Sequence, residues 1–349
     1  MAMIQISIKF VLLLICLLTI VLVSIGIYLI IKRAKEVKIK AKIESYVNEH
    51  EENWRRFLID GVPYNPKVIP NSREEIIGIE EIFSTYLKNL SNESIQERIS
   101  QFSNEYLKDY YLKLLQSKSW SKRMNAMFHI EDFRIDSLEK NCEKLGKKRI
   151  SREEYFQLLK IYSLFNQNLF LQHILNSNVQ LSEYEYKKLL LNLPAELLDT
   201  LTDKIADLPK TCRYALIETL GLKRDIEYLP HLEVQLKQED IEIRIRSLRA
   251  IYEIGFVNNP ENYLTFVKSP VWEERLMVAK LFQLLPLSYT LPHLELLLED
   301  ESWWVRSQAA KTMMKDKSGR KSLQEYIEHS SDRYAIDMAN EALGKGLKP

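Results

Sequence analysis

Four arginines, Arg213, Arg246, Arg275 and Arg306, recur at intervals near 30 residues along the second half of a 349-residue chain. A guanidinium is a permanently charged planar fork. A series of them can form a strip for a phosphorylated or acidic partner, or tie turns together through carboxylates of the same chain. Acidic residues closely precede three of the four, which favours the second use. Arg244, Arg246 and Arg249 make a denser group. Arg249 takes a place held by Val278 and Ala309 in neighbouring repeats, so it is the arginine expected at the surface. Trp120, Trp272 and Trp303 recur in one slot and are expected to pack against the preceding helix. Trp304 is the additional aromatic, set against the slot of Glu274 and expected to be exposed, as a binding hot spot requires. Arg244, Arg246, Arg249 and Trp304 are therefore the candidate partner-binding residues.

Little else in the sequence offers chemistry. The histidines at 50, 129, 173, 231, 293 and 329 are dispersed, and His231 and His293 each follow Leu-Pro, a packing or capping place. Cys16 lies in an apolar run, and Cys142 and Cys212 have neither zinc-like spacing nor the number for a disulfide framework. No HExxH, paired-cysteine, Gly-x-Ser-x-Gly or phosphate-loop pattern occurs. The reading is a non-enzyme with no catalytic or metal residue and no cofactor.

The elements that position these residues are helices. Glycine occurs 9 times and proline 11 times, which argues against glycine-consuming β-sandwiches and dinucleotide folds. Leu229-Pro230-His231-Leu232-Glu233 returns as Leu291-Pro292-His293-Leu294-Glu295, 62 residues on, or two steps of 31. Ala250, Ala279, Ala310 and Ala339, at steps of 29, 31 and 29, mark where adjacent helices approach. Walking back reaches Leu216, Leu189, Leu158 and Met127 as apolar faces. Prolines 194, 209, 230, 260, 270, 286 and 292 are expected at helix starts and junctions, and Gly221 and Gly255 at left-handed helix ends. A period near 30 with two helices per repeat describes an all-α solenoid whose neighbours share one core.

Asp300-Glu301-Ser302-Trp303-Trp304-Val305-Arg306-Ser307-Gln308-Ala309-Ala310 resembles a HEAT-like repeat of the phycobilin-lyase type: an acidic turn, Val-Arg at the second helix start, then alanines. Glu242 to Ala250 and Glu274 to Ala279 are similar. The resemblance implies a HEAT-like solenoid over 208–349 and degenerate helical repeats over 73–207. It also implies a binding surface, or alternatively a lyase-type activity on a tetrapyrrole or similar ligand. Fold of this kind does not decide between them.

Before the repeats, Phe10 to Ile31 is a 22-residue uncharged run, long enough to cross a bilayer. Only Lys9 precedes it, whereas Lys32, Arg33, Lys35, Lys38, Lys40 and Lys42 follow. The expectation is a single-pass anchor in the cell membrane, residues 10–31 in lipid and the C-terminal body in the cytoplasm. Of the formal net charge of +1, Lys9 supplies +1 and residues 32–42 supply +5 (six basic side chains against Glu36), which leaves −5 on residues 43–349. That sign disfavours a nucleic-acid partner and favours a protein partner at the membrane. The expected order is a tail and anchor over 1–31, a basic juxtamembrane helix over 32–60, a proline-rich linker over 61–72, then the repeats. Ile43, Val47, His50, Trp54 and Phe57 form one helical face, expected to dock on the body.

Overall fold

A computed structural model describes residues 8–90, 92–176, 179 and 181–345. The expected tail at 1–7, Ser91 of the sequon Asn89-Leu90-Ser91, and residues 346–349 of the repeat region lie outside the described residues. The fold is all-α, with no strand among the described residues. The chain divides into two compact units, 1–166 and 167–349.

The first unit begins with α1 (Ile8–Leu58), one unbroken helix of 51 residues, roughly 77 Å long. From Leu12 to Ile31 its large apolar side chains are exposed, and this stretch is long and apolar enough to cross a membrane. The six cations of residues 32–42 are all exposed. Their pairs with Glu36 and Glu44, at 3.4 to 4.0 Å, are open to solvent and contribute little. At Ile43 the helix becomes a packing element. Ile43, Tyr46, His50, Trp54, Phe57 and Leu58 are buried, and Val47 is half-buried. They lie against α2 (Arg73–Asn89) and α3 (Glu93–Phe102).

Residues 61–72 are not a free linker. Pro66–Val68 forms a 3-10 turn, Val68 is fully buried, and its carbonyl accepts a 2.6 Å hydrogen bond from the Tyr46 hydroxyl. Tyr64 stacks edge-on to Phe57 and Phe102. Prolines stiffen this segment, and its aromatic and aliphatic side chains fix it to the core. Ser72 then caps α2 by accepting from the Glu75 N–H, while the Glu75 carboxylate accepts from the Asn71 N–H. A π-helical turn, Ser103–Leu107, leads into α4 (Lys108–Leu115). The unit closes with α5 (Trp120–Asp132), α6 (Glu139–Gly146) and α7 (Arg152–Phe165).

The second unit holds α8 (Gln167–Asn176), α9 (Glu183–Leu190), α10 (Ala195–Asp203), α11 (Lys210–Lys223), α12 (Leu229–Gln235) and α13 (Ile241–Ile254). It continues with α14 (Glu261–Leu264), α15 (Trp272–Leu281), α16 (Leu287–Leu298), α17 (Trp303–Met313), α18 (Gly319–His329) and α19 (Arg333–Lys345). The odd-numbered helices from α9 to α19 pack in series, each on the next. The stack thus includes α9, which lies before the expected start at 208. Ion pairs from Glu183 to Arg246 and from Lys187 to Glu218 bind α9 to α13 and α11.

Two punctuation marks play other parts than expected. Gly221 lies inside α11, and a Cβ there would come within 2.7 Å of the Ala250 Cα, so its role is close approach of α11 to α13. Arg224, at φ 55°, takes the left-handed cap instead, whereas Gly255, at φ 81°, does cap α13. Pro292 sits inside α16 rather than at its start, because Leu287 to Thr290 add a helical turn where Ile226–Tyr228 form a 3-10 turn before α12.

Candidate functional site

The true repeat is a uniform step of 31. Arg213, Arg244, Arg275 and Arg306 are the equivalent arginines, each in the first turn of its helix. Each turns its guanidinium back onto carbonyls of the preceding junction: Ala206, then Gln238 and Glu239, then Ser269, then Asp300 and Glu301. Arg244 also pairs at 2.6 Å with Glu274 of the next repeat, and Arg275 with Asp300. Ser269 donates to the other oxygen of Glu274. In the first unit Arg123 does the same, bonding Ser117 and Lys118 carbonyls at 3.0 Å and Glu154 at 2.6 Å. A buried fork that satisfies orphan carbonyls and a desolvated carboxylate is a structural tie.

This corrects two of the candidate residues. Arg244 is the tie between α13 and α15. Arg246 is held by Glu183, by Glu218 and Glu242 at 2.6 Å each, and lies over the Tyr214 ring at 4.6 Å. Neither guanidinium is free for a partner. The misplaced register came from aligning Ala250 with Ala279. The side chain 31 residues before Ala279 is Leu248, buried like Ile217 and Ala310 in the same slot.

The tryptophan slot also changes meaning. Ile241, Trp272 and Trp303 open their helices at 46%, 37% and 45% exposure, so the slot is a surface edge rather than a packing position. Trp120, likewise first in its helix and exposed, donates its indole N–H to Ser151 at 3.0 Å. The residue that enters the core comes two places later, as Cys212, Ile243, Glu274 and Val305. Trp304 aligns with half-exposed Glu273, not with buried Glu274, and is 61% exposed, edge-on to Trp303 at 4.9 Å.

Arg249 is exposed and forms no ion pair among the described residues. One step on stands Lys280, and one further Lys311, both also without an ion pair. These three make a row of cations on α13, α15 and α17. Sequence reading missed the two lysines because the two-residue slip moved them out of line. A constant step of 31 from Arg306 would have found them.

A chain of polar contacts that does not itself follow the 31-residue step also joins the ends of these helices. Tyr252 donates to Gln283 at 3.3 Å, and Gln283 donates to Thr312 at 3.2 Å. Beside Lys311, which lines it, a cleft of about 440 Å³ opens between α17 and α19, walled by Ala310, Met314, Met338 and Ala342, with the charged Lys315 and Glu341 also in its lining. The face can therefore offer unpaired positive charge beside an apolar recess.

Several buried titratable groups elsewhere are tied into the fold. His129 lies 3.5 Å from Glu80, which accepts from the Tyr111 hydroxyl at 2.8 Å, joining α2, α4 and α5. Burial pushes the imidazole down to about 4 and the Glu80 carboxyl up. Burial pushes the Cys142 and Cys212 thiols up to about 12, which makes them poor nucleophiles. Among the described residues no three His, Cys, Asp or Glu side chains converge to hold a metal ion.

The fold and this face define an all-α protein with serially stacked helical repeats and one helix able to span a membrane. No protein-family model matches the chain, and no curated protein matches it significantly.

Proposed function

We propose that the chain is a membrane-anchored scaffold or adaptor that binds a protein partner through its stacked helices. The single observation that carries this reading is the row Arg249, Lys280 and Lys311, without ion pairs among the described residues, set on helices whose first-turn arginines are all engaged internally. The exposed apolar stretch Leu12–Ile31 supports a bilayer anchor, and the cations from Lys32 to Lys42 support a cytoplasmic body. The acidic turn, Val-Arg and alanine order supports a HEAT-like type of repeat. Exposed Trp304 and Arg249 suit a broad contact better than a deep pocket. A lyase-type activity remains the alternative implied by the phycobilin-lyase resemblance, and a coloured or fluorescent ligand copurifying with the body would favour it.

The test is crosslinking in intact cells with a membrane-permeant and an impermeant reagent, followed by mass spectrometry of the captured chain. The reading expects protein partners with the permeant reagent only, and their loss in Arg249→Glu or Trp304→Ala. Equal capture by the impermeant reagent would reverse the orientation. Identical partners in all three proteins would remove this face from the function.

A further inference from the structure

The geometry points to an acidic, extended segment of a partner protein as the ligand of this face, carboxylates on Arg249, Lys280 and Lys311 and an apolar side chain in the cleft beside Lys311. This rests on the scaffold reading and gives its partner a chemistry. The argument begins with charge. Residues 167–349 carry 27 acidic and 23 basic side chains, a net −4, so cations there have an excess of carboxylates to choose from. Arg244, Arg246 and Arg275 take carboxylates of their own or adjacent repeats. The equivalent of Arg249 on α11 is Glu218, which is itself engaged by Arg246 and Lys187. On α13, α15 and α17 the same position is a cation with no ion pair among the described residues. Charge complementarity therefore calls for an acidic occupant from outside.

Spacing sets its conformation. Packed helices lie about 8–10 Å apart, and a polyproline II chain, with three residues per turn and about 3.1 Å per residue, covers that distance in one turn and returns to the same face. The helix starts Ile241, Trp272 and Trp303 and the arginines Arg244, Arg275 and Arg306, all at a constant step of 31, put Arg249, Lys280 and Lys311 at equivalent positions on α13, α15 and α17. Three carboxylates at every third residue would thus meet the three cations. The cleft between α17 and α19 adjoins Lys311, one of its lining residues, and its Met314 and Met338 walls can adapt to a leucine-sized side chain. An anionic bilayer would satisfy the charges but not the regular step or the recess.

The test uses the full chain in nanodiscs of zwitterionic lipid. The probe is a fluorescein-labelled peptide with Glu at every third position and Leu three residues beyond the last Glu, made in both sequence directions. Fluorescence anisotropy is expected to show saturable binding by one direction, weakened at least about tenfold by Arg249→Glu, Lys280→Glu and Lys311→Glu together. Binding should also weaken with added salt and on replacing Glu by Gln in the peptide. Arg249→Lys, which keeps the charge, is expected to retain binding. No binding of either peptide, or binding unchanged in the triple variant, overturns the inference. So does triple-variant-sensitive binding to phosphatidylserine vesicles with none to the peptide. If crosslinked partners are lost with Trp304→Ala but kept in the triple variant, the scaffold reading stands while this ligand class falls. If wild type captures no partner in cells, the scaffold reading falls by itself.

Discussion

The two units bury their helices by different means. In the first, one indole organises the core: Trp54 is fully buried, with Phe83 at 4.9 Å and Phe102 at 4.8 Å, both near perpendicular. Aromatic edges gather α1, α2, α3 and the proline-rich segment around it, with no period. In the second, small residues let helices approach and a periodic arginine holds each junction, with Arg244 and Arg275 also reaching a carboxylate of the next repeat. An aromatic core is singular, so it has no position to spare for a partner. A periodic tie is local, and it leaves the far side of each helix free to vary. That freedom is where the cation row sits.

The largest expected effect tests the singular core. Trp54→Ala should cost about 3–5 kcal/mol in urea unfolding of the detergent-solubilised protein, because the cavity cannot collapse among rigid rings. A loss below 1 kcal/mol would mean that the first unit is held elsewhere. Next comes the periodic tie. Glu274→Ala leaves Arg244 uncompensated, and a loss of about 3 kcal/mol is expected. Arg249→Ala, on the open side of the same stack, should stay within about 0.5 kcal/mol. Similar losses for both would erase the distinction between tie and free cation.

A further effect is a pH slope to which His129 contributes in the first unit. The unfolded imidazole of His129 titrates near 6.5, and the folded one is pushed down to about 4. Between those values the unfolded chain binds the proton more readily, so stability should fall as pH drops through that window, by about 1–3 kcal/mol. Glu80, pushed up by burial, acts in the opposite sense because it holds a proton more readily when folded. His129→Phe should remove the histidine's part of the slope. A slope unchanged by that substitution would assign acid sensitivity to other groups.

Much of the architecture could be read from residue order. The helical class follows from the scarcity of glycine and the echo at 62 residues, and the docking stripe on α1 from its 4-3-4-3 spacing. The exposure of Arg249 and Trp304 was also legible, although the register behind it was not. Alanines alone could not set that register, since Ala250 and Ala279 are both buried but serve different slots. Nor could residue type tell a tie from a free cation. Arg246 and Arg249 are three residues apart, yet one meets three carboxylates and the other, among the described residues, none.

By itself, then, the sequence determined periodicity, helix content and the apolar length of the first helix, because these depend on neighbours along the chain. Only the tertiary structure decided that the proline-rich segment is docked, that the tryptophan slot faces outward, and that Arg249, Lys280 and Lys311 meet no carboxylate among the described residues. Those outcomes depend on which side chains arrive from other helices, and a carboxylate 28 or 63 residues away leaves no mark in local sequence.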